Sequence, residues 1–150
     1  MTVNRQVGIL FRMGDAFLNR ELEGSGLSSG PAYLVLELAA EGTLNLTELS
    51  RRVGVDPAHT TRIAHRLEDD GYARRAPDPE DGRSSLLTLT AKGRRAAVKI
   101  EKAMLAWVAI ITEGVDPADI EATNRAFSRF YSNALARRGG FPDTDGSSEN

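Results

Sequence analysis

Cysteine is absent from this sequence of 150 residues. Disulfide bonds, thiolate redox sensing, cysteine nucleophiles and thiolate metal sites are therefore excluded. Histidine is scarce as well: His59 and His65 lie six residues apart, a spacing that does not suit one metal ion bound from one helix. Neither a glycine-rich phosphate loop nor a nucleophile elbow occurs. The sequence thus predicts a protein that is not an enzyme and that binds no cofactor or metal ion.

Long apolar runs are also missing. The chain contains no stretch of about 18 or more apolar residues, so we expect no membrane span. Residues 1–11 lack the basic and then apolar order of a secretory signal, and we therefore expect a cytoplasmic protein. The apolar fraction of 41% is ordinary, and the length suits one compact domain with its own core.

The chain as a whole has no net positive charge, but one region of it does. The net charge is −2, yet residues 51–95 contain ten Arg and Lys against seven Asp and Glu, a local charge of +3 that leaves −5 for the remainder. An acidic chain of this kind can bind phosphates through its basic region.

Glycines, prolines and capping residues divide the chain into elements. Asn45 is followed three residues later by Glu48, a variant of the capping box, and Asp56-Pro57 is a cap with proline at the first helical position. Apolar residues at spacings of three and four indicate the longer helices. The predicted helices cover about 2–22, 29–41, 46–52, 57–70, 91–112 and 117–138, and the predicted strands cover 72–76 and 84–89. The polar tail, 139–150, is predicted to be disordered.

Two short helices joined by a turn at Gly54 form a helix-turn-helix pattern, whose second helix enters the major groove of DNA. On the 57–70 helix, a stripe of Thr60, Ile63 and Leu67 is predicted to be buried. The residues predicted to contact DNA lie outside that stripe: Ala58, His59, Thr61, Arg62, His65 and Arg66. Arginine can bond O6 and N7 of guanine together, and a threonine methyl group can contact thymine. The alternative is a solvated helix face, but the flanking turn and hairpin favour DNA contact.

The two predicted strands form a hairpin with a charged tip, Asp81-Gly82-Arg83. Gly82 permits a turn with positive φ. We expect Asp81 to pair with Arg83 and hold its guanidinium outward, where it can enter a narrow minor groove. Arg75 could reach phosphates or neutralise the acidic residues of the tip. The alternative is a surface turn with an incidental ion pair of little energetic value.

These residues resemble the MarR (multiple antibiotic resistance regulator) family of bacterial winged-helix transcription factors over roughly residues 5–138. The specific matches are Thr61-Arg62, Arg66-Leu67-Glu68, Gly71, Arg75, Asp81-x-Arg83 and Leu89-Thr90-x-x-Gly93. The resemblance implies a mostly α-helical fold with a small β-hairpin wing (α+β). It also implies a single domain over 1–138, with a winged helix-turn-helix at about 28–90 and dimerisation helices at about 2–22 and 91–138.

The resemblance further implies a function. Family members bind pseudo-palindromic double-stranded DNA as homodimers, often as repressors, and often release it when a small phenolic or other amphipathic ligand binds. Phe11, Tyr33 and Trp107 are candidate pocket residues by position, with plain core packing as the alternative for each. One departure from the family pattern is Gly82, where many relatives carry a longer side chain, often arginine.

One rival to a DNA-binding regulator stays open: a winged-helix interaction module that has lost DNA binding. The net charge of −2 and the acidic tip residues Asp78, Glu80 and Asp81 favour this alternative. Salt dependence separates the two functions, because phosphate contacts release counterions when DNA binds.

Overall fold

The computed structural model describes residues 2–137. The tail predicted to be disordered, 139–150, lies outside the described residues. The described elements, in chain order, are α1 (Val3–Glu21), α2 (Ser29–Glu41), β1 (Thr43–Asn45), α3 (Leu46–Val53), α4 (Pro57–Asp69), β2 (Ala73–Pro77), β3 (Ser85–Leu89), α5 (Ala91–Ile111) and α6 (Pro117–Arg137). The chain divides into two units after Ile110. None of the helices in the described part has the length and apolar character to cross a membrane.

The mostly helical fold with a small antiparallel sheet confirms the predicted fold class. The sheet has the strand order β1-β3-β2, so the return strand of the hairpin is central. Leu87 of β3 pairs with Leu44 of β1 on one side and with Arg75 of β2 on the other. β1 was not predicted from the sequence, because a strand of three residues is too short to show an alternating pattern. The Thr88 hydroxyl of β3 donates to the carbonyl of Gly42, the residue before β1, at 3.0 Å. This hydrogen bond fixes the start of β1 against β3.

The core of the first unit consists of aliphatic side chains from five helices and the central strand. Its most deeply buried members are Leu18, Leu22, Leu34, Val35, Leu38, Leu49, Leu67, Leu87 and Ile100. Burying one such side chain contributes about 1.5–3 kcal/mol. The predicted inner stripe of α4, Thr60, Ile63 and Leu67, is buried as expected, and Ala64 is buried with it. This burial attaches α4 to the domain by one face only.

Side-chain caps start both helices of the helix-turn-helix as predicted. The Asn45 Oδ1 atom accepts a hydrogen bond from the backbone N–H of Glu48 at 2.8 Å. The Asp56 Oδ1 atom accepts one from the backbone N–H of His59 at 2.9 Å. Between the two helices, Gly54 has a φ of 73°, a left-handed conformation that glycine adopts without steric cost. The Glu48 carboxylate does not complete the capping box, because it bonds the side chains of Arg51 and Arg52 instead.

Apolar stripes on the outer helices stay exposed in the single chain. In α1, Val7, Leu10 and Met13, which are spaced by three residues, are exposed, and Leu18 is the buried residue of this helix. The second unit contains α6, which has no buried residue in its described length. Its Phe127 and Phe130 rings pack edge to face with centroids 5.8 Å apart, although both side chains remain about half exposed. The predicted spacing is therefore correct, but these stripes do not form an intramolecular core.

The Leu89-Thr90-x-x-Gly93 segment joins the hairpin to α5. The Thr90 hydroxyl donates to the Gly71 carbonyl at 2.7 Å, and its oxygen accepts from the backbone N–H of Gly93 at 3.1 Å. Gly93 lies directly against the backbone of Tyr72, so that a Cβ atom here would overlap the Tyr72 carbonyl oxygen. Only glycine allows the first turn of α5 to lie so close to the start of β2.

We expect Gly93→Ala to lower the free energy of unfolding by at least about 1–3 kcal/mol, because the backbone must shift to admit the methyl group. Urea unfolding followed by circular dichroism measures the change. Gly82→Ala is the matched control, since the space around Gly82 is open, and it should stay within about 0.5 kcal/mol of the wild type. Equal stability of the two variants would mean that the contact at Tyr72 relaxes freely.

Candidate nucleic-acid interface

The outer face of α4 carries most of the residues predicted to contact DNA. Ala58, His59, Arg62, His65 and Arg66 are exposed. Thr61 is half-buried and donates its hydroxyl to the Pro57 carbonyl at 2.9 Å. Its methyl group is thus the part of the side chain left for an apolar contact. The structure therefore brings all six predicted residues of this helix onto one surface element.

The basic side chains of this surface have only loose partners. The Arg62 Nη2 atom lies 3.3 Å from His59 Nδ1, and the Arg66 Nε atom lies 3.8 Å from a carboxylate oxygen of Asp70. The His65 Nδ1 atom lies 3.6 Å from Glu68. Exposed contacts of this kind contribute little free energy. Arg62 and Arg66 can therefore exchange them for DNA at small cost.

Arg75 has a partner that was not predicted from the sequence. Its Nη2 atom bonds Glu68 at 2.8 Å, and its Nε atom bonds both oxygens of the same carboxylate at 3.1 Å. The two side chains are 24% and 22% exposed. Such a two-point arginine–carboxylate contact restricts geometry as well as charge. Arg75 thus ties β2 to α4, and it pairs with Glu68 rather than with the acidic residues of the tip. Sequence reasoning included Glu68 in the family pattern but gave it no role.

The hairpin tip is also built differently from the prediction. The Asp81 carboxylate accepts a hydrogen bond from the backbone N–H of Arg83 at 3.0 Å, and not from its guanidinium. Gly82 does not have a positive φ, so the predicted turn with positive φ at this residue is not formed. A second carboxylate, on Asp78, accepts from the backbone N–H of Glu80 at 2.9 Å. Aspartate stabilises turns through such bonds to its own backbone two residues on.

Two of the three acidic residues near the tip therefore shape the turn. The Arg83 side chain is exposed, and within residues 2–137 no carboxylate lies within ion-pair distance of it. The tip thus presents a cation whose backbone is held by Asp81. The Arg83 side chain is thus exposed, as expected, but Asp81 bonds its backbone N–H and not its guanidinium.

A cavity of about 410 Å³ lies between α1, α2, α3 and α4. Phe11 and Tyr33 line it, as predicted, and so does His59 at the start of α4. Trp107, the third predicted pocket residue, does not line this cavity. Its ring packs on Phe17 with centroids 5.5 Å apart and lies against Gly14 of the same helix.

The cavity wall contains a short polar contact. The Tyr33 hydroxyl donates to the Asp15 Oδ1 atom at 2.9 Å. Burial and the neighbouring Asp15 carboxylate raise the pKa of Tyr33 to about 12. The phenol therefore stays protonated at physiological pH and keeps donating to Asp15.

The MarR family model matches residues 31–85, which span α2 to the start of β3. The HTH-type transcriptional regulator BilQ of Clostridioides difficile is 32% identical over 81 residues, or 54% of this chain and 55% of that protein. The chain thus spans about half the length of that relative. The HTH-type transcriptional repressor Mb2911 of Mycobacterium bovis is 32% identical over 97 residues, or 62% of this chain and 69% of that protein.

Solved structures share the fold over most of the chain. A MarR transcriptional regulator from Methanosarcina mazei Go1 superposes with a TM-score of 0.83 at 25% identity, covering 89% of this chain and 96% of that one. A mutant MarR from E. coli, complexed with operator DNA, superposes with a TM-score of 0.76 at 19% identity, covering 85% and 92% of the two chains. Together with the winged helix-turn-helix geometry, these matches show that the chain belongs to the MarR family of transcriptional regulators.

Proposed function

We propose that the chain is a repressor that binds a pseudo-palindromic operator in double-stranded DNA as a homodimer. The observation that carries the proposal is the exposed, loosely paired Arg62 and Arg66 on α4, beside a wing that Arg75 ties to the same helix. A helix and a wing fixed to each other can engage adjacent grooves together. One relative is named a repressor, and one structure of the same fold holds operator DNA.

Within this proposal the predicted residues divide into three groups by chemistry. Arg62 reads a base edge, because its guanidinium can bond guanine at two points. Ala58, His59 and Thr61 stand near the N-terminal end of α4, where small side chains allow a close approach to the groove. Arg83 enters the minor groove or contacts the backbone, and His65 and Arg66 contact the flanking phosphates.

The homodimer rests on exposed apolar surface. Val3, Val7 and Leu10 on α1 and Phe127 and Phe130 on α6 are all at least a third exposed in the single chain. An apolar stripe left exposed on a helix commonly marks an interaction site. A two-fold dimer places its two reading helices on half-sites about 34–36 Å apart, one turn of the DNA.

The cavity behind α4 supports control by a small molecule. Its volume of about 410 Å³ falls within the range of about 300–1,000 Å³ that is usual for such sites. Ile63 and His59 of α4 are part of its wall. A ligand wedged there presses on the reading helix, and we propose that it releases the DNA in this way.

The acidic residues of the tip do not require a module that has lost DNA binding. Asp78 and Asp81 bond the backbone of the turn, so their presence is explained by hairpin structure. A steep fall of DNA affinity with salt concentration is therefore expected for the wild type. A folded dimer that shows no DNA affinity at low salt would support the interaction module instead.

We expect Arg62→Ala to weaken specific binding by about 1–3 kcal/mol and to relax base preference at one position in each half-site. Selection from random duplexes gives the preferred site, and fluorescence polarisation gives affinities for that site and its point variants. Arg129→Ala on α6 is the control, because it removes the same charge from an exposed position of the second unit. Uniform weakening on every sequence would make Arg62 a phosphate contact.

Arg83→Ala should weaken DNA binding and leave the melting temperature unchanged, since the exposed guanidinium has no carboxylate partner in the described chain. Differential scanning calorimetry and polarisation measure the two properties on the same preparation. A large fall in melting temperature would show that the side chain supports the wing, and the proposed contact would be wrong.

A double-mutant cycle tests the role of Arg75. Because Arg75 and Glu68 hold each other, Arg75→Ala and Glu68→Ala should be non-additive, with a coupling of about 0.5–3 kcal/mol in the free energy of unfolding. The two single variants should also lose similar amounts of DNA affinity. If Arg75 instead bonds a phosphate, Arg75→Ala will weaken DNA binding far more than Glu68→Ala.

A further inference from the structure

The cavity between α1, α2, α3 and α4 has more acidic than basic side chains in its wall, which does not suit a carboxylate or phenolate ligand. Two carboxylates, on Asp15 and Glu37, belong to its lining, and Arg52 is its arginine. Apolar walls come from α1, α2 and α4 and from the turn that follows α3. The sign of the charge left for a ligand depends on whether Arg52 is available.

Arg52 is already surrounded by acidic groups. Its Nε atom bonds Glu48 at 2.7 Å, its Nη1 atom bonds Glu41 at 2.9 Å, and the same atom lies 3.9 Å from Glu37. Glu48 is held ionised, because hydrogen bonds from Arg51 and Arg52 lower its pKa to about 2. The positive charge of Arg52 is therefore offset within the protein, and the wall as a whole is acidic.

The polar contact in the wall presents acceptors rather than donors. The Tyr33 hydroxyl uses its hydrogen in the bond to Asp15 Oδ1. What remains for a ligand are the lone pairs of the phenol oxygen and the second oxygen of the Asp15 carboxylate. A ligand group that bears several N–H donors and a positive charge satisfies both, whereas a carboxylate would be repelled by Asp15 and Glu37.

We propose that this cavity selects a cationic amphipathic ligand, with its ammonium group on Asp15 and the Tyr33 oxygen and its apolar body between Phe11 and Ile63. A hydrogen bond to a charged group is stronger than a neutral one, and it strengthens further where water is partly excluded. The ligand class rests on the pocket of the proposed function but not on DNA binding itself.

Three probes with the same aromatic body test the proposal: naphthylmethylamine, which is protonated at neutral pH, naphthylmethanol and naphthoate. Isothermal titration calorimetry on the full-length protein should give a dissociation constant for the amine at least about tenfold below that for naphthoate. Naphthylmethanol should bind with an intermediate affinity. Equal binding of amine and naphthoate, tighter binding of naphthoate, or no binding of the amine at millimolar concentration would overturn the proposal.

The variant Asp15→Asn removes the charge and keeps an oxygen that can accept from Tyr33, so folding should be preserved. The preference for the amine over naphthoate should then fall about tenfold. Glu113→Gln is the matched control, since it removes one negative charge at an exposed position of the second unit, and it should leave the preference unchanged. An unchanged preference in Asp15→Asn, from a protein with wild-type melting temperature, would place the amine elsewhere.

A DNA arm separates this inference from the proposed function. The amine should weaken binding to the selected operator, while naphthoate should not. If the wild type selects an operator but shows no preference for the amine, the proposed ligand class is wrong and the proposed function as a DNA-binding regulator is still supported. If the amine is preferred in the cavity but no operator is selected, the ligand class stands and the proposed function fails.

Discussion

The burial of one face of α4 is the constraint from which the rest of the site follows. Thr60, Ile63, Ala64 and Leu67 lie in the core, so the helix cannot rotate about its axis without exposing them to water. Each fully buried aliphatic side chain among them contributes about 1.5–3 kcal/mol, which is large beside a loose surface ion pair. The opposite face, with Arg62 and Arg66, is therefore held outward by packing and not by contacts of its own.

The end of the same helix sets the position of the wing. The Tyr72 backbone N–H donates to the Leu67 carbonyl at 2.8 Å, and Gly71 turns the chain with a φ of 76°, the usual helix stop with a left-handed residue. β2 starts directly after this stop, and Arg75 then bonds back to Glu68 on α4. The end of α4, the turn at Gly71 and the start of β2 thus lie within one short segment. Gly93 brings α5 against the backbone of Tyr72 in this segment.

The acidic character of the chain is compatible with DNA binding because of where the acids are used. Glu48 and Glu41 offset arginines of α3, Glu68 holds the wing, and Asp78 and Asp81 bond backbone N–H groups in the tip. Asp56 caps α4, and the hydrogen bond from the backbone N–H of His59 lowers the pKa of its carboxyl group. The net charge of −2 therefore says little about the surface that would meet phosphates.

The sequence by itself determined the order and type of the helices, the hairpin, and the buried stripe of α4, because these depend on local periodicity, caps and turn residues. Asn45, Asp56 and Gly71 act within a few residues of their own position, and so their effects are readable along the chain. Only the tertiary structure decided that Arg75 bonds Glu68, that β1 pairs with β3, and that Trp107 packs on Phe17. Each of these is a contact between distant segments, whose partner is selected by the packing of whole elements rather than by spacing in sequence.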